Sequence, residues 1–283
     1  MNNLNYEGQY LGLVNRIIRD GKWVENKRTG ERCLTVIGHT LQYNSGAGDV
    51  PFLSTKQSFV QTAVAEFIGY LRGYTNAQQF KDIGCPTWFK NANETQAWLD
   101  NPNRRGENDM GLVYGATTGC AETLIKIFNN LSNGIDDRGE TLTFWKPEEF
   151  NQGCLRPCMR NHTFSILDGT LYLTSESRSV DVALGLNFNS IQCDFFLKWM
   201  AKICGLKVGY CTHNLINVHI YEKHLSAIRG QLLRSVKPLD CSLEIEPFQC
   251  YLNDLTGNDL HAREFIEVKY EGYAPKINFE MTA

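Results

Sequence analysis

Residues 177–189 read Ser177-Arg178-Ser179-Val180-Asp181-Val182-Ala183-Leu184-Gly185-Leu186-Asn187-Phe188-Asn189, and they lead from a strand into a long helix. An arginine with a neighbouring serine hydroxyl suits a phosphate group, a fixed fork beside a short donor. Asn189, at the helix start, offers both a carbonyl and an amide, enough to read the edge of a pyrimidine. The bland alternative makes Arg178 and Asp181 a surface ion pair and Asn189 an N-cap. Upstream, residues 162–166 and 171–175 alternate as strands around an Asp168-Gly169 hairpin turn. Downstream, Phe195, Phe196, Trp199, Met200 and Ile203 mark a well-buried helix, and residues 208–211 and 218–220 read as two further strands.

The N-terminal half adds helices. Tyr10, Leu13, Val14, Ile17 and Ile18 recur at helical spacing, residues 33–37 read as a strand, and Ser58 is placed to cap a helix running to Leu71. Glu66 falls within that helix's apolar arc, where a carboxylate must be hydrogen-bonded or perturbed. Residues 101–109 form a polar loop, Leu124, Ile127, Phe128 and Leu131 mark another helix, and residues 141–145 read as a strand. Helices and strands mix without strict βαβ alternation. The expectation is one α+β domain over residues 1–283, a mixed or mainly antiparallel sheet with flanking helices.

Composition narrows the function classes. The chain has 283 residues with a net charge of −3, which argues against broad electrostatic binding to nucleic acid but leaves room for a small anion held by a few arginines. No apolar run approaches the roughly 18–20 residues of a membrane span, and the N-terminus shows no secretory signal, so a cytoplasmic protein without a membrane partner is expected. The ten cysteines are scattered, with no CxxC and no metal-ligand spacing. No metal is expected, and most cysteines should be buried thiols.

Cys158 is the best nucleophile. Pro157 precedes it, and Arg156 and Arg160 flank it with positive charge that favours a thiolate. His219 and Tyr221 alternate along a strand, so both side chains share one face and could bind sugar hydroxyls, or form a satisfied core pair.

Taken in order, Pro157-Cys158, Arg178-Ser179-x-Asp181, Leu184-Gly185-Leu186-x-Phe188-Asn189 and His219-x-Tyr221 resemble the thymidylate synthase superfamily. The resemblance runs nearly end to end. It takes in Arg28-Thr29-Gly30, Ser54-Thr55-Lys56, Glu66 with Leu71-Arg72-Gly73, Trp88, Gly111-Leu112-Val113-Tyr114-Gly115 and the tail at residues 277–283.

The resemblance implies a homodimer joined through its sheets and a one-carbon transfer from 5,10-methylenetetrahydrofolate to C5 of a pyrimidine nucleotide. Cys158 would add to C6 of the base. Glu66 would handle protons near O4, with Tyr114 as a hydroxyl partner and Asn189 reading the base. Arg28, Arg178 and Ser179 would hold the phosphate, with Arg138 reaching across the dimer; Asp181 would also contact the nucleotide, and His219 and Tyr221 the sugar. Trp88, Asp181, Gly185 and Ala283 would face the folate.

Several positions depart from the synthase pattern. Met159 stands where synthases have His, Asn91 replaces a Trp, Ser177 a Gln, Asn217 an Asp, and Gly139 an Arg. Loss of an imidazole and an aromatic wall favours capture by water, so the leading expectation is dUMP 5-hydroxymethylation. The alternatives are reductive methylation of dUMP to dTMP, a CMP or dCMP hydroxymethylase, and a nucleotide- or RNA-binding protein on the same scaffold. Asn189 suits the O4 and N3–H of uracil better than a cytosine edge.

Overall fold

The computed structural model describes residues 5–27, 30–246 and 261–280. Helix α1 (Tyr6–Asp20) starts where the Asn5 side chain accepts the Gly8 N–H at 3.0 Å, and its stripe of Tyr10, Leu13, Val14 and Ile17 is wholly buried. Strands β1 (Lys22–Asn26) and β2 (Glu31–Tyr43) follow, then α2 (Val60–Leu71), the short helices α3 (Ala77–Asp82), α4 (Phe89–Asn93) and α5 (Gln96–Leu99), and α6 (Cys120–Ser132). The second half runs β3 (Thr141–Thr143), β4 (Met159–Leu167), β5 (Thr170–Asp181), α7 (Leu186–Ile203), β6 (Lys207–Tyr221), α8 (Leu225–Leu232), β7 (Asp240–Ile245) and β8 (Ile266–Glu271).

The six-stranded sheet has the order β1-β2-β6-β5-β4-β3. Only β5 and β6 pair in parallel; every other neighbouring pair is antiparallel. The sheet is mixed, as the α+β reading expects, and β7 and β8 form a separate hairpin. Helices α1, α2 and α7 cover one face, with Phe67, Phe164, Phe195, Phe196 and Trp199 at its centre. On the other face, Tyr210 and Ile216 of β6 are exposed.

Three expectations change. The Ser58 side chain does not cap α2; its hydroxyl accepts the Leu53 N–H at 3.2 Å, and the helix starts after Phe59 without a side-chain cap. The two strand pieces at 208–211 and 218–220 are one continuous β6, and β5 runs six residues past 175, so Arg178, Ser179 and Asp181 lie on the strand itself. Both errors have one cause. Ser175, Ser177 and His213 occupy inward positions that an alternating pattern reserves for apolar residues, and all three are fully buried. They are satisfied in pairs: His162 Nδ1 with Ser175 Oγ at 2.8 Å, and Ser177 Oγ with His213 Nε2 at 2.8 Å.

No helix of the described residues is long and apolar enough to cross a membrane.

Candidate active site

Cys158 sits immediately before β4, half-buried behind the buried Pro157. Its N–H donates to the Tyr114 hydroxyl at 3.1 Å, and its carbonyl accepts the Arg178 N–H at 2.9 Å. The Arg178 guanidinium donates Nε to the Pro157 carbonyl and Nη2 to the Arg156 carbonyl, both at 2.8 Å. One arginine therefore pins the chain on the N-terminal side of the thiol. The Trp145 ring lies 5.4 Å from that guanidinium. The flanking cations behave differently from expectation: Arg160 pairs with Glu176 at 3.0 Å, and the exposed Arg156 lies over the Phe150 ring. Their side chains are engaged with their own neighbours.

Tyr114 takes a left-handed backbone, φ 49°, rare and strained for a residue with a side chain. Its ring stacks on Tyr70 at 4.1 Å and 7°. Gly115 allows this approach, because a Cβ there would fall 1.7 Å from the Tyr70 carbonyl oxygen. Burial pushes the Tyr114 phenol far above its ordinary range, so it remains a neutral hydroxyl within electrostatic reach of Cys158 and Glu66.

Glu66 lies on α2 with its carboxylate fully engaged. Thr87 Oγ1 donates to Oε1 at 2.9 Å and Gln192 Nε2 donates to Oε2 at 2.8 Å, while the Cys85 thiol approaches Oε1 at 3.9 Å. Burial raises its pKa, opposed by Gln192, Tyr70, Thr87 and Trp88, which hold it down. Asn189, the fourth residue of α7, donates Nδ2 to Gln192 Oε1 at 3.1 Å. It is thus inside the helix rather than an N-cap, and Asn189, Gln192 and Glu66 form a continuous chain from half-exposed to buried. A Cβ on Gly185 would come within 3.5 Å of Asn189 Oδ1.

The parallel β5–β6 register sets Asp181 beside His219 and Ser179 beside Asn217. His219 and Tyr221 share a face, as expected, with rings 5.2 Å apart edge to face, and His219 Nδ1 meets Asn217 Oδ1 at 3.0 Å. Burial lowers the His219 pKa. Asp181 is not paired with Arg178. Its Oδ1 accepts the Ala183 and Leu184 N–H groups, and its Oδ2 lies 3.7 Å from His224 Nδ1, a charge contact longer than a hydrogen bond. Lys56 Nζ donates to the Ala183 carbonyl at 2.6 Å and lies 4.9 Å from the Phe279 ring. Trp88 is buried between Tyr70, Phe80 and Tyr114, and its indole N–H has no hydrogen-bond acceptor among the described residues.

Two expected site residues, Arg28 and Ala283, lie outside the described residues. Arg138 is exposed on the loop before β3 with φ 65°, its N–H bonded to Asp136, and among the described residues it makes no contact with the Cys158 group. Gln192, Thr87 and His224 went unread. Gln192 had a usable signal, a polar residue three positions after Asn189 on a buried helix; Thr87 had none.

A half-buried thiol, a stacked tyrosine and a buried carboxylate tied to an amide define an α+β protein with a cysteine-centred site. The protein-family model described as Thymidylate synthase matches residues 8–283. Curated relatives include a thymidylate synthase of Pseudoalteromonas translucida, 51% identical over 255 residues, which cover 87% of this chain and 90% of the relative. Another, from Mannheimia succiniciproducens, is 52% identical with the same coverage. A third, from Actinobacillus succinogenes, is 50% identical over 275 residues, covering 94% and 97%. The chain belongs to the thymidylate synthase family.

These relatives correct the leading expectation of hydroxymethylation: proteins matching half of the residues over most of the chain are named thymidylate synthase. The departures that motivated it have a milder reading. Met159 is wholly buried, so it fills space rather than opening a path for water, and Asn217 is occupied with His219.

Proposed function

We propose that the protein catalyses reductive methylation of dUMP to dTMP. Cys158 adds to C6 of the base, and the Arg178 clamp and Tyr114 hydroxyl position its backbone for the approach. Asn189 reads the uracil edge. Glu66, raised by burial and tied to Gln192 and Thr87, manages protons on the O4 side. Arg178, which has no carboxylate partner among the described residues, binds the 5′-phosphate with Ser179 and Arg28. His219 and Tyr221 hold the sugar. A second copy, packed through the exposed sheet face, supplies Arg138 to complete the homodimer.

When bound, 5,10-methylenetetrahydrofolate supplies both the one-carbon unit and the hydride and leaves as dihydrofolate. The residues present fit this group. Trp88 sets its indole ring beside the Glu66 pocket, with the N–H acting on that carboxylate from beyond hydrogen-bond distance, and Lys56 is a buried ammonium suited to an anionic tail. Asp181 and Gly185 are assigned to the folate side together with Ala283, which lies outside the described residues, and free nucleotide and folate as substrates suit a cytoplasmic setting.

The observation that carries this reading is the chain Asn189–Gln192–Glu66 beside the Tyr114-held Cys158. Incubation of the protein with dUMP and the folate should give dTMP by mass spectrometry with equal dihydrofolate by absorbance, and Cys158→Ala should abolish both. A hydroxymethyl product, or product without dihydrofolate, overturns it.

A further inference from the structure

The reading of Asn189 as the base-facing residue leaves open what fixes its amide, since either orientation of an amide has the same shape. The buried helix pair α2–α7 supplies the constraint. Gln192 Nε2 donates to two groups on α2: the Ala63 carbonyl at 3.3 Å and Glu66 Oε2 at 2.8 Å. A backbone carbonyl only accepts, and so does an ionised carboxylate. The nitrogen of Gln192 must therefore face α2, and its Oε1 must face Asn189. That oxygen accepts Asn189 Nδ2 at 3.1 Å, so the orientation of the first amide dictates that of the second. Gln192 is fully buried, which makes a turned-over amide with two carbonyls face to face costly.

The consequence lies at the outer end of the chain. Asn189 Nδ2 carries two hydrogens, and one of them goes to Gln192 Oε1. The other remains for a ligand together with Oδ1, so Asn189 offers the base one donor and one acceptor in a fixed order. Uracil offers a carbonyl at C4 and N3–H, which match a donor and an acceptor. Cytosine offers an amino group and an unprotonated N3, the reverse order. Reading cytosine requires Asn189 to turn over against Gln192, and Gln192 cannot follow without facing Ala63 and Glu66 with its own oxygen.

We propose that Gln192 is the specificity-determining residue of this site, a positioning residue that locks Asn189 for a uracil nucleotide through the α2 groups Ala63 and Glu66. The proposal rests on the function given above and deepens it. It also couples base choice to proton handling, because the N–H that locks Gln192 is one that holds Glu66 down.

The test measures dissociation constants of dUMP and dCMP, and the pH profile of dUMP turnover, for the wild-type protein, Gln192→Met and Gln192→Glu. Gln192→Met should lose at least about tenfold of the dUMP preference, the scale of one hydrogen bond, and its acidic limb should move to higher pH as Glu66 loses a donor. Gln192→Glu should regain the preference as pH falls. Its protonated carboxyl can donate toward α2 while its carbonyl oxygen accepts from Asn189. It decides the matter if the methionine variant does not fold. A folded Gln192→Met with the wild-type preference overturns the proposal, as does a wild-type protein that binds both nucleotides equally. Wild-type binding that prefers dUMP, with no dTMP formed on turnover, sinks the methylation reading alone.

Discussion

Lys56 carries its ammonium into a nearly sealed place, against the Tyr10 and Phe279 rings and the Ala183 carbonyl. Burial lowers its pKa to about 8, with Asp181 pulling the other way. The fold thus disfavours the charged form, so this group's contribution to stability rises as pH climbs from about 8 toward the unfolded value of about 10.4. Lys56→Met should lose that rise and gain about 1 kcal/mol or more at neutral pH, read as a higher unfolding midpoint, while weakening folate binding in the proposed site. A charge kept at a cost to stability is the mark of a ligand-facing group. At this scale the sequence was informative wherever chemistry is carried by residue type. Glu66 lies buried on a helix and His219 shares a strand face with Tyr221, as their spacing indicated. Thr87 and the unexpected engagement of Arg160 with Glu176 were not readable, because both depend on segments that meet only in three dimensions.

Among the elements, the segment after β8 is latched at three points. The Ala274 N–H donates to the Ser54 carbonyl, Arg234 donates to the Pro275 carbonyl, and His224 Nε2 meets the Glu280 carbonyl at 2.8 Å. Burial alone would lower the His224 pKa, but Asp181 and the Glu280 carbonyl outweigh it and the net shift is upward. A raised histidine stabilises its contacts fully below its unfolded value of about 6.5, and that contribution is lost as pH rises through the folded value. Hydrogen exchange at residues 274–280 should therefore quicken as pH rises through that range, beyond the intrinsic rate. His224→Gln should remove the extra dependence, and an unaltered profile in that variant would count against the latch. Helices α1 and α2 and the β4–β5 hairpin were legible from periodicity and the Asp168-Gly169 turn. The lengths of β5 and β6 were not, since paired Ser and His on an inward face look like a strand's end until their partners are known.

For the whole molecule, α+β architecture followed from the mixture of periods, whereas the strand order did not, being set by pairings between distant segments. The proposed homodimer is testable through the open sheet face. Sedimentation should give the mass of two chains, and Tyr210→Glu combined with Ile216→Glu should return a single chain of much lower activity, Arg138 being lost from the partner. A wild-type monomer with full activity would refute it. The sheet carries one more implication, for how the protein is made. Strand β6, residues 207–221, lies between β2, residues 31–43, and β5. On the ribosome, β2 emerges long before its inner neighbour exists, and the α1–β2 unit must wait through most of synthesis with one sheet edge unmet. Closing that gap joins segments far apart in sequence, the kind of contact that slows folding. A chain stopped short of residue 207 has no centre strand, so its fragments should be substrates for chaperones and proteases rather than smaller versions of the enzyme.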